Sequence, residues 1–87
     1  MNAIIYSKDN CPYCVQAKQL LDSKNIAYQE LIISPGFNEK TLKPNQQYTT
    51  REELLEKLPN AKSVPQIWLN SSYIGGYDEL SAFFQNQ

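Results

Sequence analysis

The chain has 87 residues, 41% hydrophobic and 20% charged, with eight basic against nine acidic side chains and a net charge of -1. That fits a single globular domain over 1–87. It argues against a disordered chain, and so even a balance gives no field that would gather nucleic acid or an anionic membrane. Histidine is absent, which removes Ser-His-Asp and Cys-His catalysis and the commonest metal ligand. The apolar runs Ala3–Tyr6 and Leu31–Ile33 fall far short of the ~20 residues of a membrane helix. The polar stretch Ser7-Lys8-Asp9-Asn10 interrupts the place where a signal peptide would run apolar. The expected location is therefore the cytoplasm, and no surface feature of the sequence asks for an oligomer, so a monomer is expected.

In chain order, Asn2–Ser7 is short, apolar and followed by turn-formers, which predicts a strand. The only cysteines come next, in Cys11-Pro12-Tyr13-Cys14. Three chemistries compete for such a pair. A structural disulfide across so small a loop removes little entropy from the unfolded chain, and nothing here marks secretion. A zinc site needs four ligands, and no second Cys pair or histidine supplies the other two. A redox-active dithiol is what Cys-x-x-Cys next to a βαβ pattern usually means in an intracellular chain.

Pro12 sits where a helix should begin, and its fixed φ and missing N–H suit that position. Cys14, Ala17 and Leu21 then share one helical face. Cys11 thus falls in the N-cap region, where unpaired N–H groups and the positive end of the helix dipole favour a thiolate, with a pKa below the free value of ~8.5. Cys14, one turn further in, should be more buried. The attacking nucleophile is accordingly Cys11, and Cys14 is the resolving thiol.

Ala27–Ile33 predicts a second strand, parallel to the first through a right-handed crossover. Ser34–Gln47, with Pro35-Gly36, Asn38 and Pro44-Asn45, reads as a long loop. A second helix follows: Thr50 and Glu53 form a capping box, Leu54, Leu55 and Leu58 give the apolar side, and Pro59-Asn60 ends it. Gln66–Leu69 and Tyr73-Ile74 are two strands of a hairpin turning at Asn70-Ser71-Ser72. Gly75-Gly76 breaks the second of them, and Asp78-Glu79 start a last helix carrying Leu80, Phe83 and Phe84. Trp68, Phe83 and Phe84 lie on core-facing patterns and are expected to pack.

This β-α-β-α-β-β-α order resembles the glutaredoxins, a branch of the thioredoxin fold. The resemblance covers nearly the whole chain and rests on three motifs in sequence: Cys11-Pro12-Tyr13-Cys14, Ser63-Val64-Pro65, and Ile74-Gly75-Gly76-Tyr77-Asp78-Glu79-Leu80. It implies an α/β domain with a four-stranded mixed sheet flanked by three helices. The Pro-Tyr dipeptide is similar to that of dithiol glutaredoxins. It differs from the Gly-Pro of thioredoxins and from the single-cysteine, cluster-binding forms. The length and the long loop resemble phage-encoded members, for which the location would be the host cytoplasm.

The resemblance further implies a cis Pro65 facing the cysteines, with the Val64 backbone open to the main chain of glutathione. Gly76 would let the γ-glutamyl end approach, the N–H groups of Tyr77 and Asp78 would meet its carboxylate, and the Asp78 side chain would accept from its ammonium. Read from its residue type alone, Asp78 is an ordinary N-cap, and the two roles can coexist. Lys8 would attract the glycine carboxylate, Tyr13 would stand exposed beside the ligand, and Arg51 is a second basic candidate. No metal and no tightly bound cofactor are implied, only glutathione as reducing co-substrate.

The implied activity is glutathione-dependent reduction of protein disulfides and glutathione mixed disulfides, near ~-200 to -230 mV, with ribonucleotide reductase among the protein substrates. Two rivals stand beside it. One is a thioredoxin-like reductase fed by a flavoprotein. The other is a non-catalytic domain, such as a redox sensor or a metal- or cluster-bridged dimer using Cys11 of each chain.

Overall fold

The computed structural model describes residues 1–33 and 42–86. Its elements are β1 (Asn2–Lys8), α1 (Pro12–Ser23), β2 (Ala27–Ile33), β3 (Gln46–Thr49), α2 (Arg51–Lys57), β4 (Gln66–Leu69), β5 (Ser72–Gly75) and α3 (Tyr77–Gln85). The sheet runs in the order β3-β2-β1-β4-β5. β1 pairs parallel with β2 and antiparallel with β4, β2 pairs parallel with β3, and β4 pairs antiparallel with β5. This is the thioredoxin-like arrangement with one strand more than the four expected.

The added strand is β3. It lies in and just after the stretch read as loop, and it pairs Glu30–Ile33 with Gln46–Thr49. Its sequence, Gln-Gln-Tyr-Thr, has no apolar run because it sits at an edge and only Thr49 is buried. Of the predicted long loop, residues 34–41 lie outside the described residues.

Strand alternation divides the side chains between two faces. On one face Ala3 and Ile5 of β1 and Ile67 and Leu69 of β4 meet Ala17 and Leu21 of α1, Ile26 and Leu80 of α3 in a single buried cluster. Tyr6 and Trp68, each one residue out of phase, point to the other face. There their rings meet edge to face at 5.5 Å, and Lys57 of α2 lies over both. Trp68 is therefore half-buried beneath α2 and outside the main core. Phe83 and Phe84 pack against the core as expected.

At the start of α2 half of the expected capping box forms: Thr50 accepts from the Glu53 N–H at 3.2 Å, but the Glu53 carboxylate accepts from the Thr49 hydroxyl instead of reaching back to the Thr50 N–H. The β4–β5 hairpin turns on Asn70 and Ser71, both with positive φ (49° and 71°), which suits the right-handed twist of the two strands.

Gly75 closes β5 at φ +128°, a conformation that side chains rarely adopt, and a Cβ there would lie 2.8 Å from Glu79 Cγ and 2.9 Å from its Cβ. Gly75→Ala is therefore expected to cost about 1–3 kcal/mol in urea unfolding. A variant as stable as the parent would contradict this account of the turn.

Candidate active site

β1 runs into α1 through Asp9 and Asn10, and the tight turn needs Asn10 at φ 57°. Asparagine tolerates that region better than most residues. The turn delivers Cys11 to the N-cap of α1, with Pro12 at the first helical position. The Cys14 backbone N–H points at Cys11 Sγ from 3.2 Å, so the first turn of the helix already directs a donor at the sulfur. Cys11 and Cys14 are joined as a disulfide with Cα atoms 5.2 Å apart. Cys11 is 7% exposed and Cys14 1%, which ranks their access as the spacing predicts.

The Val64–Pro65 peptide bond is cis, and the Val64 carbonyl oxygen lies 3.8 Å from Cys11 Sγ. Beside this contact opens a groove of about 350 Å³ lined by Tyr13, Val64, Pro65, Gly76, Tyr77 and Asp78, together with Ser63, Gln66, Tyr73 and Glu79. Six of the residues singled out from sequence thus share one groove. Tyr13 is 59% exposed, and its ring lies 6.1 Å from that of Tyr77. A Cβ at Gly76 would come within 3.3 Å of the Pro65 carbonyl, so a side chain there would push the two walls apart by a few tenths of an ångström. Gly76, not Asp78, is the N-cap of α3, and its N–H donates to Glu79 Oε1 at 2.7 Å. Asp78 instead occupies the first turn, exposed, where the N–H groups of Tyr77 and Asp78 have no partner within the helix.

Lys8 stands apart from this groove. It lines one cleft with Cys11 and Cys14, and another with Arg51, Lys62, Ser63 and Val64. The Ser63-Val64 segment therefore has the Tyr77–Asp78 groove on one side and three basic residues on the other. Glu52 shares a further cleft with Lys8 and Arg51 and offsets part of that charge.

Behind the cysteines lies a feature that the sequence reading missed. Glu30, in the middle of β2, is 4% exposed. Its carboxylate accepts from the Ser7 hydroxyl at 2.6 Å, from Gln46 Nε2 at 2.8 Å and from Lys18 Nζ at 2.9 Å. Burial pushes the Glu30 carboxyl up, but the hydrogen bonds from Gln46, Ser7 and Lys18 and the Lys18 charge outweigh it, and the carboxyl titrates below its usual range. Glu30, Lys18 and Gln46 line the same cleft as Cys11 and Cys14, on the side away from the groove. The signal is a lone acid directly before the apolar run Leu31–Ile33, but the partners come from β1, α1 and the unpredicted β3.

A Cys-Pro-Tyr-Cys helix start, a cis Val64–Pro65 bond whose Val64 carbonyl reaches Cys11, and a groove lined by Gly76 form one constellation, and the family model for glutaredoxins matches residues 3–74. The chain belongs to the glutaredoxin family. Glutaredoxin 3 of Escherichia coli is 38% identical over 81 residues, covering 93% of this chain and 83% of that protein. Glutaredoxin 1 of Rickettsia conorii is 38% identical over 77 residues, covering 88% of this chain, which spans 66% of that longer protein. Among solved structures, glutaredoxin 1 from Francisella tularensis complexed with cacodylate superposes with a TM-score of 0.71 at 30% identity, covering 98% and 93% of the two chains. A buckwheat glutaredoxin–glutathione complex, at 21% identity over 97% of this chain and 68% of that one, shares the fold with a TM-score of 0.70. Glutaredoxins are thiol–disulfide oxidoreductases, and the Cys11–Cys14 pair fits their dithiol type.

Among the described residues no helix is long and apolar enough to cross a membrane. Among the same residues no group of three or more His, Cys, Asp or Glu side chains is placed to hold a metal ion.

Proposed function

We propose that this chain is a glutathione-dependent thiol–disulfide oxidoreductase acting in the cytoplasm as a monomer, with Cys11 as nucleophile and Cys14 as resolving thiol. The observation that carries the reading is the placement of Cys11 Sγ between the first turn of α1 and the carbonyl of Val64, a residue that itself lines the Tyr13–Asp78 groove. Negative charge on that sulfur is favoured by the helix N-terminus.

The Cys11 thiolate attacks one sulfur of a protein disulfide. A Cys11–substrate disulfide forms and the other substrate sulfur leaves as thiolate. Cys14 then gives up its proton and attacks Cys11 Sγ, which releases the second substrate thiol and forms the Cys11–Cys14 bridge. One glutathione thiolate opens that bridge at Cys11. A second attacks the Cys11–glutathione disulfide, so oxidised glutathione leaves and both cysteines are reduced. With a glutathionylated protein, Cys11 takes the glutathionyl group directly and Cys14 is not needed. By family resemblance, ribonucleotide reductase is one protein substrate.

In this reading the main chain of glutathione pairs with Val64 as a short added strand. Its γ-glutamyl carboxylate meets the N–H groups of Tyr77 and Asp78, its ammonium meets the Asp78 carboxylate, and Tyr13 and Pro65 border the sulfur end. Gly76 gives the close approach. The glycine carboxylate extends toward Lys8, with Arg51 and Lys62 on the same side.

The test is a trapping reaction. Cys14→Ser treated with oxidised glutathione is expected to gain one glutathionyl group, mapped by mass spectrometry to Cys11. Asp78→Ala in that background should slow the gain by roughly 3–10-fold, the worth of one lost hydrogen bond. No adduct, or a rate indifferent to Asp78, would refute the proposed site.

A further inference from the structure

We propose that the Tyr73 hydroxyl is a positioning group for the Ser63-Val64 main chain, acting through Gln66. The inference rests on the reading above, in which that main chain receives glutathione. Ser63 and Val64 lie between α2 and β4, outside any helix or strand, so no ladder of hydrogen bonds fixes them. The side chain of Gln66, 8% exposed, does so instead. Its Nε2 donates to the Ser63 carbonyl at 2.9 Å, and its Oε1 accepts from the Tyr73 hydroxyl at 2.6 Å.

Tyr73 is suited to hold that amide still. Its ring lies 5.2 Å from the ring of Trp68, which packs on Tyr6 at 5.5 Å, and Lys57 covers Tyr6 and Trp68. The stack supports one side of the ring, and Tyr73 lines the groove together with Gln66. Tyr73 is 48% exposed, so burial does not force its hydroxyl to find a protein partner. The Gln66 amide is buried, and it is the group that needs one. Without the hydroxyl, Gln66 Oε1 is left unpaired in a buried place. The amide then has reason to rotate, and with it goes the hold on Ser63. Gly76 approaches the neighbouring Pro65 carbonyl without a side chain between them, so the Gln66 amide is the side-chain hold on this segment.

Tyr73→Phe keeps the stacked ring and removes only the donor. Two rates are to be compared for the reduced protein: attack of Cys11 on a glutathionylated peptide, which offers a main chain to Val64, and attack on 2-hydroxyethyl disulfide, which offers none. In Tyr73→Phe the ratio of the first to the second is expected to fall roughly 3–10-fold. Gln66→Leu should give a similar fall, and Tyr73→Phe added to it should give no further loss, because the hydroxyl acts only through Gln66. Amide hydrogen exchange at Ser63 and Val64, followed by NMR, should quicken in Tyr73→Phe. An unchanged ratio, additive losses or unchanged exchange would each overturn the proposal. If the unsubstituted protein shows no preference for the glutathionylated peptide, the glutathione reading fails instead. The amide exchange then decides the positioning role by itself.

Discussion

Cys11→Ser is expected to abolish reduction of both protein disulfides and glutathione mixed disulfides, to the uncatalysed background. A serine hydroxyl at the α1 N-cap keeps the fold, since serine is among the best N-cap residues, but it forms no disulfide with substrate or glutathione. Cys14→Ser should separate the two branches. Reduction of a protein disulfide stalls at the Cys11–substrate disulfide, because the buried resolving thiol is gone. Removal of glutathione from a glutathionylated protein continues within a few-fold of the parent rate, since Cys11 alone carries it. Steady-state turnover of the two substrate types by the two variants checks this. Loss of both branches in Cys14→Ser would overturn the division of roles, and residual turnover in Cys11→Ser would overturn the choice of nucleophile.

Glu30→Gln should produce the largest loss of stability. The substitution keeps the volume and removes the charge, leaving Lys18, Ser7 and Gln46 as donors facing an amide that can accept at only one oxygen. Breaking a buried ion pair from one side usually costs 3–5 kcal/mol. The Lys18 side chain is 25% exposed and can turn partly to water, so a loss of about 2–3 kcal/mol is expected. Against a total of roughly 4–13 kcal/mol for a domain of this length, that is a large share.

The pH dependence has a definite sign. The folded-state pKa of Glu30 is lowered, so the unfolded chain takes up the proton first as pH falls. The contribution is complete above the unfolded value of ~4.3 and is lost as pH drops through the folded value. Urea unfolding of parent and Glu30→Gln should therefore differ most at neutral pH and converge in acid below ~4.3. A constant gap across that range would show that the network acts through packing and not through charge.

The legible parts of this molecule are those written in local sequence. Pro12 after Cys11 announces a helix start, and the N-cap cysteine, the burial of Cys14 and the shared face with Ala17 and Leu21 all follow from it. Thr50 and the Pro59-Asn60 stop bound α2 in the same way. Asn70 and Ser71 turn the hairpin because short polar residues bear positive φ. What escaped depends on contacts distant in sequence. β3 has no apolar alternation to betray it, since an edge strand buries little, and it becomes a strand only by pairing with β2. Glu30 joins side chains from three other elements, and the Tyr73–Gln66–Ser63 chain spans the hairpin and the cis-proline segment. Aspartate suits an N-cap, yet the N-cap of α3 is Gly76, two residues before Asp78, where the Gly76 N–H donates to Glu79 Oε1. The groove residues Tyr13, Val64, Pro65, Gly76, Tyr77 and Asp78 came from family motifs, and it is the fold that gathers them around one cleft.

The most direct test of the glutathione-coupled reading is the source of electrons. Disulfide reduction by the purified protein is measured with glutathione and glutathione reductase, and separately with thioredoxin reductase in place of both. Fast turnover with glutathione, and none with thioredoxin reductase, is the predicted result. Turnover supported by thioredoxin reductase alone would contradict it, leaving Cys11 and Cys14 as the dithiol but emptying the Tyr13–Asp78 groove of its assigned ligand.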